Sequence, residues 1–150
     1  VGFTANMTGT TPTAWNDPAR GAELAKAQFA QGIDVIFAAA GGTGTGVYQA
    51  AKDAAKLAIG ADSNQNHLQP GTMLTSMVKR VDLAVEQAFR GVKPGVTELG
   101  LKEGGVGLAM DEHNAKLVTP AMRARLDAAR ADIVAGKLKV IDYTVAMRCR

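Results

Sequence analysis

The sequence predicts an α/β fold built on a doubly wound, mainly parallel sheet. Short apolar segments alternate with segments whose apolar residues recur at helical spacing, and only short connections separate them. Residues 33–40 (IDVIFAAA) are apolar with little alternation, which is typical of a parallel strand buried on both faces. The length of 150 residues is that of one domain, and no internal linker divides it.

The first two elements are a strand and a helix. Residues 1–5 are short and apolar enough for a strand. A helix is predicted to begin at Pro18, after a cap at Asn16 or Asp17, and to end at Gly32. Helical spacing assigns to its inward face Ala22, Ala25 and Phe29.

A glycine-rich turn joins the second strand to a second helix. Residues 41–46 (GGTGTG) supply the turn, and the helix that follows repeats Val47, Ala50, Ala51 and Ala54. Residues 57–61 then form a short strand that ends at Asp62. We expect Ile36 and Ile59 to be buried, because both lie in apolar strands flanked by helices.

A third helix is predicted after an extended segment at residues 72–76. Ser76 is its expected cap and Gly91 its end, with an inward face of Val78, Val81, Val85 and Ala88. Lys79 and Arg80 would then lie at the start of this helix, where the helix dipole disfavours cations. A compensating carboxylate or ligand is therefore expected nearby.

The C-terminal third predicts further strands and a last helix. Residues 99–109 contain two short apolar pieces, read as strands around a turn. A helix from Pro120 to Gly136 has an apolar face of Met122, Leu126, Ala129 and Ile133. Residues 139–143 are predicted to form a final strand.

Composition excludes several classes of protein. The 17 basic residues are interspersed with 14 acidic ones, the net charge is +3 and aromatic residues are only 5%, which disfavours a nucleic-acid partner. Cys149 is the only cysteine, so no intrachain disulfide or multi-cysteine metal site can form. His67 and His113 lack metal-ligand spacing, and neither a metal nor a cofactor is predicted. No apolar stretch is long enough to span a bilayer, and no signal-like segment precedes Val1.

Three polar segments follow predicted strands, where ligands of doubly wound sheets bind. They are residues 6–17, 41–46 and 62–69. The glycine segment has neither the lysine of a P-loop nor GxGxxG spacing, so it predicts no nucleotide-phosphate site. Its glycines serve either a helix N-terminus that holds hydroxyls or an anion, or a tight turn.

Two side chains in these segments have the chemistry of a ligand contact, and each has a structural alternative. The carboxylate of Asp62 can accept two hydrogen bonds from a vicinal diol such as ribose, or form an Asx turn or helix cap. The indole of Trp15 can stack on a planar ligand or anchor its loop on the core. The scattered acids Glu103, Asp111 and Glu112 have no identifiable nucleophile or base partner.

Four motifs in order resemble the basic membrane protein (BMP) family, whose typical members are purine-nucleoside-binding lipoproteins of ABC importers. The motifs are WNDPARG, QGIDVIFAAAGGTGTGVYQAA, IGADSNQNHLQPGTMLTSMVKRVD and LGLKEGGVGLA, and the similarity runs from about residue 15 to 140. The resemblance implies one lobe of a type I periplasmic-binding fold over residues 1–143. Residues 144–150 form an atypical C-terminal tail.

The resemblance also implies the site and its role. The family's ligand positions fall on Trp15 or Asn16 for the base, Gly41 and Gly42 in the turn, Asp62 for ribose and Lys79 near the sugar. It implies a binding protein, not an enzyme, in the periplasm or as a cell-surface lipoprotein, with an ABC permease as partner. The alternatives are a flavin or other heterocycle binder, a ligand-sensing regulator and, last, a sugar-phosphate enzyme. Self-association of an isolated lobe stays open, since such a lobe exposes its cleft face.

Overall fold

A computed structural model describes residues 11–91 and 94–141. The helices are α1 (Pro18–Ala30), α2 (Gly44–Asp53), α3 (Val81–Phe89) and α4 (Pro120–Val134). The strands are β1 (Val35–Phe37), β2 (Leu57–Gly60), β3 (Met73–Lys79) and β4 (Val106–Leu108). Single 3₁₀ turns cover Pro12–Trp15, Gly41–Thr43 and Asn66–Leu68. The strand predicted at 1–5 and the tail at 144–150 lie outside the described residues.

The four strands form one sheet in the order β1-β2-β3-β4. The first three are parallel, with Phe37 opposite Ile59 and Gly60 opposite Ser76, and β4 runs antiparallel to β3. This arrangement confirms the predicted α/β fold with a mainly parallel sheet. It also brings the carboxyl ends of β1, β2 and β3 to one edge.

Helix α1 begins and ends as its sequence predicts. The Asp17 side chain accepts a hydrogen bond from the Arg20 N–H at 2.9 Å, and Pro18 occupies the first turn. Gly32, just beyond the helix, adopts a φ of +90°, which glycine tolerates best. Ala25 and Phe29 are buried, and α1 packs against α2.

The main core lies between α2, α1 and one face of the sheet. Its buried members include Phe29, Val47, Tyr48, Ala51, Ala58 and Met73. The predicted inward face of α2 is confirmed except at Ala54, which follows the helix and is exposed. Small residues dominate this face, so α2 lies close to both α1 and β2.

Strand β1 is not buried on both faces, contrary to the prediction. Val35 is 38% exposed and Phe37 is 51% exposed, while Ile36 is half-buried against the core. Among the described strands, β1 is at the end of the sheet and pairs only with β2. Ile59, expected to be buried, is half-buried as well.

The boundary between β3 and α3 differs from the prediction. The strand continues to Lys79, so Val78 belongs to it and Ser76 is a fully buried strand residue with no capping role. Pairing with β4 extends the strand, since Lys79 lies opposite Val106. Lys79 therefore ends a strand, and Arg80 is the residue before the helix. Three residues predicted to face inward from α3 are exposed, namely Val81, Val85 and Ala88.

The described part of the C-terminal third contains one strand, where two were predicted in residues 99–109 and a third at 139–143. Residues 101–104 form turns, and residues 139–141 are not in a strand. Helix α4 begins as expected, with the Thr119 hydroxyl accepting a hydrogen bond from the Met122 N–H at 3.2 Å. Its apolar face lies over β4 but stays partly exposed, with Leu126 at 38%. None of the helices in the described part of the chain is both long and apolar enough to cross a membrane.

Candidate functional site

The predicted ligand positions gather at the carboxyl edge of the parallel strands. The glycine turn at 41–43 follows β1, the loop that begins at Asp62 follows β2, and Lys79 ends β3. Because these strands are adjacent and parallel, the three segments open onto the same edge. The structure thus brings three segments that are far apart in sequence to one edge of the sheet.

Trp15 and Asn16 lie directly against the glycine turn. A Cβ atom added at Gly41 would come 2.9 Å from the Trp15 carbonyl oxygen and 3.7 Å from its Cε3 atom. One added at Gly42 would come 2.9 Å from Asn16 Oδ1. Gly41 also has a φ of +54°, so the turn needs glycine for both its conformation and this approach.

Thr43 links the segment around Trp15 to the glycine turn through hydrogen bonds. The sequence analysis did not single this residue out. Its hydroxyl donates to the Ala14 carbonyl at 2.7 Å and accepts from the Asp17 N–H at 2.8 Å. Thr43 is 1% exposed, so its hydroxyl and the bond to Ala14 are shielded from water. The one hint in the sequence is a hydroxyl residue inside a glycine run. Thr43 thereby ties the segment around Trp15 to the start of α2.

Asp62 and Lys79 form the charged part of the edge. Lys79 Nζ lies 2.6 Å from Asp62 Oδ1, and the Lys79 N–H donates to the Asp62 carbonyl oxygen at 2.9 Å. Both side chains are about half exposed. Asp62 also has a φ of +72°, a left-handed conformation that glycine, asparagine and aspartate adopt more readily than other residues.

Lys79 and Arg80, for which the sequence predicts a compensating carboxylate or ligand, are each paired with an aspartate. Asp62 pairs with Lys79, while Asp82 binds the guanidinium of Arg80 through two of its nitrogens, at 2.7 and 2.8 Å. The hydrogen bond from Arg80 holds the pKa of Asp82 below its ordinary value. Of these two ion pairs, only Asp62–Lys79 consists of predicted ligand residues.

Tyr48 is a second residue that the sequence analysis missed. It is 1% exposed and lies one helical turn after Gly44, where an added Cβ atom would come 2.7 Å from its hydroxyl. Burial raises the pKa of Tyr48, and the charge of Asp62 adds to the rise. Its position on the inward face of α2 resembled that of a core residue, which hid its closeness to the site.

Other parts of the described chain offer weaker candidates. Across residues 11–91 and 94–141, no three His, Cys, Asp or Glu side chains cluster as a metal site. An apolar groove of about 520 Å³ lies between α4 and the β3–β4 pair. It is lined by Met77, Leu101, Leu108, Leu126 and Ile133 among others, and by none of the predicted ligand residues. Cys149 lies outside the described residues.

Comparison with known families shows which protein family this chain matches. Residues 8–140 match the Bmp family, described as ABC transporter substrate-binding protein, PnrA-like. The chain belongs to this family. The match covers the glycine turn, Asp62 and Lys79 together.

Curated relatives and a solved structure agree with the assignment. The CD4+ T-cell-stimulating antigen of Listeria monocytogenes is 35% identical over 93% of this chain and 47% of its own length. The ABC transporter nucleoside-binding protein BmpA of Lactococcus lactis is 30% identical over 85% of this chain and 41% of its own length. A crystal structure of an ABC transporter solute-binding protein from Aeropyrum pernix has a TM-score of 0.74 at 26% identity, covering 85% of this chain and 45% of that one. Other relatives carry the names basic membrane protein and lipoprotein.

This Bmp-family chain spans about half the length of the curated relatives that it matches. The comparisons therefore establish the fold and the family for this one α/β unit. The similar crystal structure matches over less than half of its own chain, in the same proportion.

Proposed function

We propose that this chain forms one lobe of a substrate-binding protein that holds a purine nucleoside in a cleft between two lobes. The lobe would comprise residues 1–143, followed by an atypical tail at 144–150. The observation that carries the proposal is the Asp62–Lys79 pair at the carboxyl edge of a parallel sheet. Trp15 on the neighbouring turn supplies a flat apolar surface.

The Asp62–Lys79 pair has the chemistry to bind ribose. Asp62 Oδ1 is paired with Lys79, and we assign to Oδ2 the role of accepting a hydrogen bond from a ribose hydroxyl. Lys79 Nζ has further protons to donate to hydroxyl oxygens. A vicinal diol needs acceptors and donors side by side, and this pair supplies both on half-exposed side chains.

The turn beside Trp15 is suited to a heterocyclic base. Trp15 is 49% exposed, and we assign to its indole the stacking contact with the base. The Asn16 amide, beside Gly42, offers a donor and an acceptor for the polar edge of a purine. We therefore assign base recognition to Trp15, Asn16, Gly41 and Gly42.

The proposed role is binding and delivery without a chemical step. Membership in a family of ABC transporter substrate-binding proteins supports this role and supplies the partner, an ABC permease in the membrane. Relatives named as lipoproteins and a nucleoside-binding protein support a cell-surface or periplasmic location and the nucleoside class. We propose no nucleic-acid partner.

A calorimetric titration with four ligands tests the proposal. Inosine and guanosine are expected to bind, 2′,3′-dideoxyinosine to bind at least about tenfold more weakly, and riboflavin not to bind. Chromatography of the recovered nucleoside is expected to find it intact. Riboflavin binding more tightly than inosine, or release of free base, would contradict the proposal.

A further inference from the structure

Asp62 is held in an unusual turn. With its φ at +72°, the Ser63 N–H donates to the Ala61 carbonyl at 2.9 Å, which closes a three-residue γ-turn centred on Asp62. Left-handed backbone is uncommon outside glycine, and although aspartate tolerates it better than most residues, its surroundings help to hold it. The direction of the Asp62 carboxylate therefore depends on the groups that fix this turn.

One set of contacts anchors the turn to β3. The Gln65 side-chain amide donates to the Ala61 carbonyl at 2.8 Å, and the Gln65 N–H donates to Ser76 Oγ at 3.0 Å. Ser76 Oγ in turn donates to Asn66 Oδ1 at 2.8 Å. Ser76 and Asn66 are both fully buried, so the anchor is rigid and shielded from solvent.

Asp111 closes the network from a distant part of the chain. Its Oδ2 atom accepts from Asn64 Nδ2 at 2.7 Å and from Asn66 Nδ2 at 3.1 Å, while Oδ1 accepts from the His113 N–H at 2.9 Å. Its own N–H donates to Asn114 Oδ1 at 2.9 Å, and Asn114 is 1% exposed. The Asn64 hydrogen bond holds the pKa of Asp111 below its ordinary value, so the carboxylate stays charged at neutral pH.

We propose that Asp111 is a positioning residue for the ligand site: by binding Asn64 and Asn66, it holds the turn that presents Asp62. This inference rests on the proposed function and deepens it. Both carboxylate oxygens of Asp111 already accept protein hydrogen bonds, so the residue acts through the loop and not on the ligand. The loop that contacts the sugar is thereby fixed from β3 on one side and from the segment after β4 on the other.

Exchanging the partners tests this role. Asn64→Asp places two carboxylates face to face, and Asp111→Asn removes the charged acceptor, whereas Asn64→Asp with Asp111→Asn restores a donor and a charged acceptor. We expect each single variant to weaken inosine binding about fivefold or more and hypoxanthine binding less than twofold, with most of the loss recovered in the double variant. Asp53→Asn is the matched control, since Asp53 is an exposed acceptor for Gln49 on α2, and it should change neither affinity.

Amide hydrogen exchange in the unliganded protein supplies a second readout. The Ser63 N–H closes the turn and the Lys79 N–H binds the Asp62 carbonyl, so both should exchange faster in each single variant and recover in the double variant. Unchanged exchange at Ser63, or equal losses for inosine and hypoxanthine, would overturn the positioning role. A wild-type protein that binds no nucleoside would refute the proposed function instead, and the exchange rates would still decide whether Asp111 holds the turn.

Discussion

Lys79 is joined to Asp62 by both its backbone and its side chain. The Lys79 N–H donates to the Asp62 carbonyl at 2.9 Å, and Lys79 Nζ lies 2.6 Å from Asp62 Oδ1. The backbone link fixes the distance between the end of β3 and the residue after β2. The ion pair then directs the carboxylate along the edge where ligands of such sheets bind. As a half-exposed pair it contributes little to folding stability, so its role is better sought in binding.

Trp15 offers a spectroscopic test of base stacking. It is the only tryptophan of this chain, so nucleoside binding should quench or shift a signal that reports on this residue. Trp15→Ala should weaken nucleoside binding by about 1–3 kcal/mol, the range for base–aromatic stacking, while Trp15→Phe should retain most of the affinity. Calorimetry on the three proteins measures this, and equal affinities would make Trp15 a loop anchor only.

Thr43 should be required for folding stability. Thr43→Val keeps the shape but removes the hydroxyl that serves Ala14 and Asp17, so the free energy of unfolding should fall by about 1–3 kcal/mol. Thr43→Ser should retain most of it. The control is Thr45→Val, because the hydroxyl of Thr45 is exposed and makes one bond, to the Gly42 carbonyl. Urea unfolding compares the variants, and equal losses at 43 and 45 would contradict this account.

Gly46 should be essential to the contact between α1 and α2. A Cβ atom there would come 1.8 Å from the Pro18 carbonyl oxygen, so Gly46→Ala must displace backbone and should cost about 1–3 kcal/mol or more. A Cβ atom at Gly107 in β4 would meet nothing within 4 Å, which makes Gly107→Ala the matched control. Thermal unfolding should separate the two variants clearly, and an unchanged transition for Gly46→Ala would show that the helices are farther apart.

Acid should abolish the stability that Asp111 contributes. The pKa of Asp111 in the folded protein is lowered, mainly by the hydrogen bond from Asn64 and to a smaller extent by His113. Asp111 and Arg123 line the same small cavity. The stabilisation is therefore complete above the unfolded pKa and is lost as pH falls through the lower folded pKa. The difference in unfolding free energy between wild type and Asp111→Asn should be constant above about pH 5 and shrink below it. A difference that grows on acidification would have the wrong sign.

Local chemistry made part of this fold predictable. The start of α1 was correct because Asp17 and Pro18 satisfy backbone groups within one turn, and no distant residue is needed. The same holds for Thr119 and Pro120 at the start of α4. Asp62 was likewise placed at the end of a strand from neighbouring residues alone.

Pairing between distant segments produced the features that were not predicted. Ser76 reads as a cap in sequence, but pairing with β2 and β4 keeps it in a strand and buries it against Asn66. Asp111 reads as an isolated acid because its partner Asn64 is 47 positions away. The Asp62–Lys79 contact depends on strand register, which no local pattern specifies.

The central claim is that Asp62 reads the ribose of a bound nucleoside. Asp62→Asn preserves the size of the side chain, and asparagine tolerates the left-handed conformation, so the turn should persist without the charge. Asp82→Asn is the control, since it removes another exposed carboxylate that is paired with a basic neighbour.

The deciding measurement is a calorimetric titration of wild type, Asp62→Asn and Asp82→Asn with inosine and with hypoxanthine. Asp62→Asn should weaken inosine binding by about 1.5–3 kcal/mol, roughly tenfold or more, because a charge-assisted bond to the sugar is lost. Hypoxanthine, which has no ribose, should bind all three proteins alike. Equal losses for inosine and hypoxanthine, or no loss for either, would contradict the claim that Asp62 recognises the sugar.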